Sequence, residues 1–233
     1  TRLVIALLLI SIIPLAGISG YSFHIFSVAL REKLSASISQ TLSMINLNMV
    51  SEIEKYQYLC GSICISEEIK DGLLNKDMSD IEKNQAINEI QSMIRTKIIY
   101  PAQAKNITVY DTDGNIFYDL GYDGFYQDDV DMLLDRLRQE NQDVWAYVHT
   151  YRDRDILVLG RRIYEQYSES RVIGYTLISI DEKIFSKTVL EPVGLADSSN
   201  IMYMNMDGSV LSSWDRNIAL GKKVDSEFLK NIQ

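Results

Sequence analysis

Apolar residues crowd the first thirty positions and then thin into a regular stripe. Residues 3–30 contain no Asp, Glu, Lys or Arg; the next charge is Arg31. About twenty such residues in a helix cross ~30 Å of hydrocarbon, and in lipid the backbone must bond within the segment. A membrane-spanning helix over 1–30 is therefore expected, touching the bilayer through residues 3–23. Pro14 is expected to kink it, and Tyr21 and Phe23 fall where an interfacial aromatic belt would lie. Arg2 assigns the N-terminus to the cytoplasm and residues 31–233 to the outside, at the cell membrane. The alternative is a cleaved signal peptide. Arg2 would be its basic start, residues 3–13 its apolar core, and Ala16, Gly17, Ser19 and Gly20 the small residues near a cleavage site. The unbroken apolar run beyond Ser19 argues for the anchor. Either reading exports the rest of the chain.

From Val28 to Cys60 there is no Gly or Pro, and apolar residues recur at Leu30, Leu34, Ile38, Leu42, Ile45, Met49, Ile53, Tyr56, Cys60 and Ile63. Steps of three and four mark one face of an amphipathic helix, here a stalk roughly 50 Å long. Gly61 and Gly72 are expected to loosen the chain. Ser79 and Glu82 form a capping box that starts a second helix, with Ile81, Ile87, Ile90, Ile94 and Ile98 inward and Pro101 closing it.

Strand texture follows. Residues 106–111 and 116–119 flank a Thr-Asp-Gly-Asn turn, a hairpin signal. Residues 128–141 predict a short helix with acids in its first turn and Arg136 and Arg138 near its end, as the helix dipole favours. Strands are predicted over 144–150, 156–164 and 172–180, and Asp181 is expected to cap a helix running through Val189. The stretch 106–119 recurs without a gap at 200–213, sharing Asn, Ile and Asp-Gly at a spacing of 94 residues. That repeat implies two copies of one module. Gln233 falls 34 residues into the second copy, so the chain is expected to be a fragment.

Composition narrows the function classes. A formal charge of −9 disfavours an electrostatic grip on nucleic acid. With 46% hydrophobic residues and only 3 prolines, the chain suits a packed globular region. Cys60 and Cys64 lie four apart on a predicted helix, poorly placed for a bridge and readable as two small buried side chains.

The order of hairpin, helix and three antiparallel strands is that of a PAS-like or Cache module. The anchor, the helix SASISQTLSMINLNMVSEIEKYQYL, NITVYDTDGNIFY, VWAYVHT, ILVLGRRIY, RVIGYTLISIDEKIF and the second hairpin with LSSWD together resemble the extracellular double-Cache region of Gram-positive two-component sensor histidine kinases. The resemblance implies an α+β fold with a transmembrane helix (1–30), a stalk helix and membrane-distal Cache module (31–190), and the start of a membrane-proximal module (191–233). It also implies a dimeric receptor whose distal module binds a small extracellular ligand. A second membrane helix, a linker and a kinase would receive the signal; none of these is in the sequence. The same region could serve a chemoreceptor or another membrane-bound regulator. An exported solute-binding or adhesive protein is the alternative from a different class.

No catalytic constellation emerges. There is no Gly-rich phosphate loop and no Gly-x-Ser-x-Gly elbow. His24 and His149 lack ligand partners at metal spacing, so neither a metal nor a cofactor is expected. Asp111, Asp113 and Gly114 depart from a calcium loop and read as a hairpin turn; Asp128, Asp129 and Asp131 read as a solvated helix start. A binding site is the stronger expectation. Trp145 and Tyr147 share one strand face, with Arg161 on the next strand and Tyr118 from the hairpin closing one side. An indole, a phenol and a guanidinium on one concave face would suit a small polar or anionic ligand. The alternative places Trp145 in the core and pairs Arg161 with a surface acid.

Overall fold

The computed structural model describes residues 2–75, 78–96, 104–121, 124–151, 155–165, 171–181, 201–204, 208–213 and 220–224, without the side chains of 2–14, 16, 80, 93, 95, 96, 149 and 155. The chain forms two compact units, Thr1–Leu47 and Asn48–Gln233. Helix α1 (Arg2–Ile65) supplies all the secondary structure of the first. The expected anchor and stalk are thus one helix, passing Pro14 unbroken and running through Gly61 to Ile65. In the first unit its described apolar side chains are largely open. Leu15, Ile18, Tyr21, Phe23, Leu30, Leu34, Ile38 and Leu42 are all exposed. Among the described residues no helix is long and apolar enough to cross a membrane. The side chains of residues 3–14, half of the expected span, lie outside that set.

The second unit is built on a sheet. Ser66 caps the short helix α2 (Glu67–Leu74), its hydroxyl accepting the Ile69 N–H at 3.4 Å. The capping box predicted at Ser79 is present. The Ser79 N–H donates to Glu82 at 2.9 Å and the Glu82 N–H donates back at 3.4 Å, opening α3 (Asp80–Thr96). Ile90 and Ile94 are buried as expected, but Ile81 is 72% exposed and Ala86 takes the inward place one turn above Ile90. Ile98, Pro101 and the helix expected after Asp181 fall outside the described residues.

Strands β1 (Ala104–Asp111) and β2 (Ile116–Leu120) form the first hairpin. Helix α4 (Gln127–Gln139), with Asp128 and Asp129 in its first turn, leads to β3 (Val144–His149), β4 (Asp155–Tyr164) and β5 (Val172–Ile180). All five strands pair antiparallel in the order β2-β1-β5-β4-β3. The second repeat forms its own antiparallel hairpin, β6 (Met202–Met204) and β7 (Val210–Ser213). Gly114 and Gly208, the glycines of the two Asp-Gly pairs, take φ of 89° and 85°, a left-handed turn conformation that costs a glycine little.

Register divides the sheet side chains between two faces. Val144, Val148, Ile156, Val158, Tyr175, Leu177 and Tyr110 share one face and pack against Val130, Leu133, Leu134 and Leu137 of α4. The other face carries Ile107, Val109, Leu157, Leu159, Ile163, Ile178 and Ile180, all buried. The last turns of α1 reach that face at Arg161 of β4, which bonds the Gln57 carbonyl at 3.3 Å. Both faces being covered, residues 173–180 of β5 are buried without alternation.

Two outcomes test this packing. Leu137→Ala, which opens a cavity under the sheet, is expected to cost about 2–5 kcal/mol in denaturant unfolding, against about 0.5 kcal/mol or less for Met132→Ala on the exposed side of the same helix. The second concerns Asp111. Burial alone would raise its carboxyl. The side chain and N–H of Asn115 and the N–H of Asp113 outweigh that and hold it below the ordinary value. A depressed carboxyl stabilises the fold above its unfolded value and loses that contribution as pH falls through the folded one. The stability gap between wild type and Asp111→Asn should therefore close on acidification, read from thermal unfolding across a pH series.

Candidate functional site

Tyr118, Val109, Thr176 and Arg161 stand opposite one another across β2, β1, β5 and β4. Trp145 and Tyr147, opposite Leu159 and Leu157, point to the same face. All four expected site residues thus share a face, as their alternation requires. They do not form one pocket. Tyr118 is fully buried three strands from Arg161, roughly 14 Å at ordinary strand spacing. Trp145 is half-buried, and its carbonyl accepts from Arg136 at 3.5 Å. The Tyr147 hydroxyl donates to the Leu211 carbonyl, and Gly221 lies against its ring, so Tyr147 ties the second hairpin to β3.

The fork of Arg161 is occupied. Its Nε and Nη2 donate to the two oxygens of Asp143 at 2.6 and 2.5 Å, and Nη1 to the Gln57 carbonyl. The Asp143 bonds push the guanidinium pKa above its ordinary value, against the burial that would lower it. The surface-acid alternative describes Arg161 better than the open-face one. A Cβ on Gly61 would come within 2.9 Å of Nη1, so glycine lets the helix approach the guanidinium this closely. Cys60 and Cys64 are buried free thiols beside this pair. Burial, and next a hydrogen bond with Cys64, pushes the Cys60 thiol well above its ordinary value.

Around this clamp lies a cleft of about 330 Å³. Gly61, Cys64, Ile65 and Lys70 form one wall; Asn141, Gln142 and Asp143, from the loop after α4, form another; Arg161, Arg162 and Tyr164 of β4 complete it. Arg162 donates from Nε to the Leu137 carbonyl at the end of α4 and from Nη1 to Asn141 at 3.0 Å. The Tyr164 hydroxyl reaches the same Asn141 oxygen at 3.5 Å. Of the expected site residues only Arg161 lines this cleft. Arg162, Lys70 and Asn141 went unnoticed in the sequence, although the Arg161-Arg162 doublet at the end of β4 was its visible sign. Among the described residues no group of three or more His, Cys, Asp or Glu could hold a metal ion.

Removing one half of the clamp leaves the other partly buried and uncompensated. Asp143→Asn is expected to destabilise by about 1–3 kcal/mol, below the range for fully buried pairs because Arg161 keeps 30% of its side-chain surface in solvent. The double variant Asp143→Leu/Arg161→Met should recover part of that loss in the same denaturant titration.

No family model matches the chain, and no curated protein matches it in sequence. In structure it is similar to the periplasmic domain of LuxQ from Vibrio cholerae, with a TM-score of 0.51 and 14% identity, covering 82% of this chain and 84% of that one. It is similar also to the extracellular domain of rpHK1S-Z16, which is named as a histidine kinase, with a TM-score of 0.53 and 15% identity, covering 82% of this chain and 77% of that one. At these identities the shared property is the fold, mixed helix and antiparallel sheet.

Proposed function

We propose that the chain is the ligand-sensing extracellular region of a dimeric transmembrane sensor histidine kinase in two-component signalling. The fold shared with two extracytoplasmic domains, one from a protein named as a histidine kinase, carries this reading. The uncharged run over residues 3–30 supports it, since that stretch suits a bilayer better than water. Residues 31–233 then face outward as a Cache-type receiver, and the N-terminus stays in the cytoplasm. The exposed Leu30, Leu34, Ile38 and Leu42 of α1 supply an apolar stripe for the same helix of a second copy. Transmission is mechanical: the turns of α1 held to β4 at Gln57 belong to the helix that begins at Arg2, so a shift at the sheet is a shift of that helix. This region itself performs no chemistry.

Topology and assembly are tested together in cells producing the full chain. Ser35→Cys should react with a membrane-impermeant maleimide in intact cells, and Arg2→Cys only after lysis. The buried Cys60 and Cys64 keep the background low. Leu34→Cys and Leu42→Cys should each cross-link to their own kind on oxidation. Labelling of Arg2→Cys from outside, or monomers at every stalk position, would overturn the reading.

A further inference from the structure

We propose that Cys60 and Cys64 form a two-coordinate site for a soft monovalent cation, of the Cu(I) or Ag(I) class, near the end of α1. The inference goes beyond the sensor reading and does not depend on it. These are the 2 cysteines of the chain, both on α1, both buried and unbridged. Residues four apart stand one above the other on a helix face, and the two thiols meet there in a hydrogen bond. Cys60 is fully buried, whereas Cys64 keeps 8% of its surface exposed and lines the cleft of about 330 Å³. An ion therefore has a way in past Cys64. Spacing decides between a bridge and an ion. Cβ atoms four apart on a helix lie about 5–6 Å from each other, and a disulfide would draw them to about 4 Å. Two metal–sulfur bonds of roughly 2.3 Å each span about 4.5 Å between the sulfurs, which the helix accommodates without bending.

The donor set selects the ion. Thiolates favour soft cations, Cu(I) among them. Zn(II) takes four ligands, and among the described residues no third His, Cys, Asp or Glu joins the pair. Asp143, the acid on the cleft lining, is spent on Arg161 through both oxygens. Burial, and next the hydrogen bond with Cys64, keeps the Cys60 thiol protonated. That slows oxidants, because the thiolate is the reactive form; a coordinating cation removes the proton outright. The step is an exchange without redox. One monovalent cation forms two metal–sulfur bonds and displaces two protons, and the resulting complex carries one negative charge. Arg161 supplies the balancing field: its Nη1 would lie 2.9 Å from a Cβ on Gly61, the residue next to Cys60. Its pull toward the Cys60 thiolate exceeds the opposing push of Asp143.

The experiment titrates the full chain in detergent with Ag(I) in chloride-free buffer, and anaerobically with Cu(I) against bicinchoninate as competing chelator; Zn(II) is the comparison. One cation should bind per chain, with two sulfur neighbours in copper X-ray absorption, and Tm should rise by mass action. Affinity should weaken as pH falls, since two protons compete with the ion. Cys60→Ser and Cys64→Ser should each weaken it about a hundredfold or more, because one sulfur forgoes the second, intramolecular bond. Cys60→Ser puts a hydroxyl in the core, so Cys64→Ser, at the cleft wall, keeps the test decisive if the first variant fails to fold. Binding no tighter than in Cys60→Ser/Cys64→Ser, one cation per two chains, Zn(II) held as tightly, or affinity unchanged in Cys64→Ser would overturn the proposal. Such a failure with Ser35→Cys still labelled from outside removes the metal site and leaves the sensor. Binding with the topology reversed removes the sensor and leaves the site.

Discussion

Strand β5 has no wet side. Residues 173–180 are buried, with α4 packed on one face and Leu73 of α2 lying against Gly174 on the other, and the rest of the second unit follows from meeting that requirement. At about 25 cal/mol per Å² of apolar surface, covering both faces of a central strand is a large part of what folding can gain. It also removes freedom. Once β1 and β4 flank β5, β2 and β3 must be the edges, and the hairpin and α4 take the positions their short connections allow. The polar side chains on β5, Thr176 and Ser179, must then live without bulk water. Ser179 does so by accepting the Asn106 N–H at 2.9 Å.

The same double burial explains where sequence patterning was readable. Local chemistry announced itself: the Ser79–Glu82 box, the two Asp-Gly turns, the acids and bases at opposite ends of α4, and all five strands of the main sheet appear where periodicity and turn residues put them. Their ends differ by a residue or two, as helix and strand ends do. Nonlocal facts were silent. Gly61 looked like a break because glycine costs a helix about 1 kcal/mol relative to alanine. The helix nevertheless continues through it, since its missing Cβ makes room for a guanidinium from a strand a hundred residues away. Ile81 looked inward by type, but it stands about two and a half turns before the buried Ile90 and so on the opposite face of the helix, while Ala86 lies on the inward side.

The candidate site shows the same division. Alternation correctly placed Tyr118, Trp145, Tyr147 and Arg161 on one face. What it could not supply was strand order, which places β1 and β5 between Tyr118 and Arg161, or the identity of what covers each residue. Arg161 is met by Asp143 and by α1; Tyr147 is met by the second hairpin. Arg162, one residue further along β4, points to the opposite face, yet the end of the strand brings both arginines to the rim of one cleft.

The clamp at that rim bears on how a sheet could move a helix. A partly buried ion pair contributes little net stability, because desolvating both partners offsets most of their attraction. Its larger effect here is on register. Arg161 is fixed in the sheet by both oxygens of Asp143, and its remaining donor meets the Gln57 carbonyl at the one place on the last turns of α1 where a glycine leaves space. Moving α1 along the sheet by one residue would bring the Cβ of Cys60 or Ser62 toward the guanidinium. Small slides are therefore opposed, and the helix must either keep this register or release the arginine and adopt another. Under the sensor reading proposed above, a contact that resists small slides would favour a defined displacement of the helix over a gradual drift.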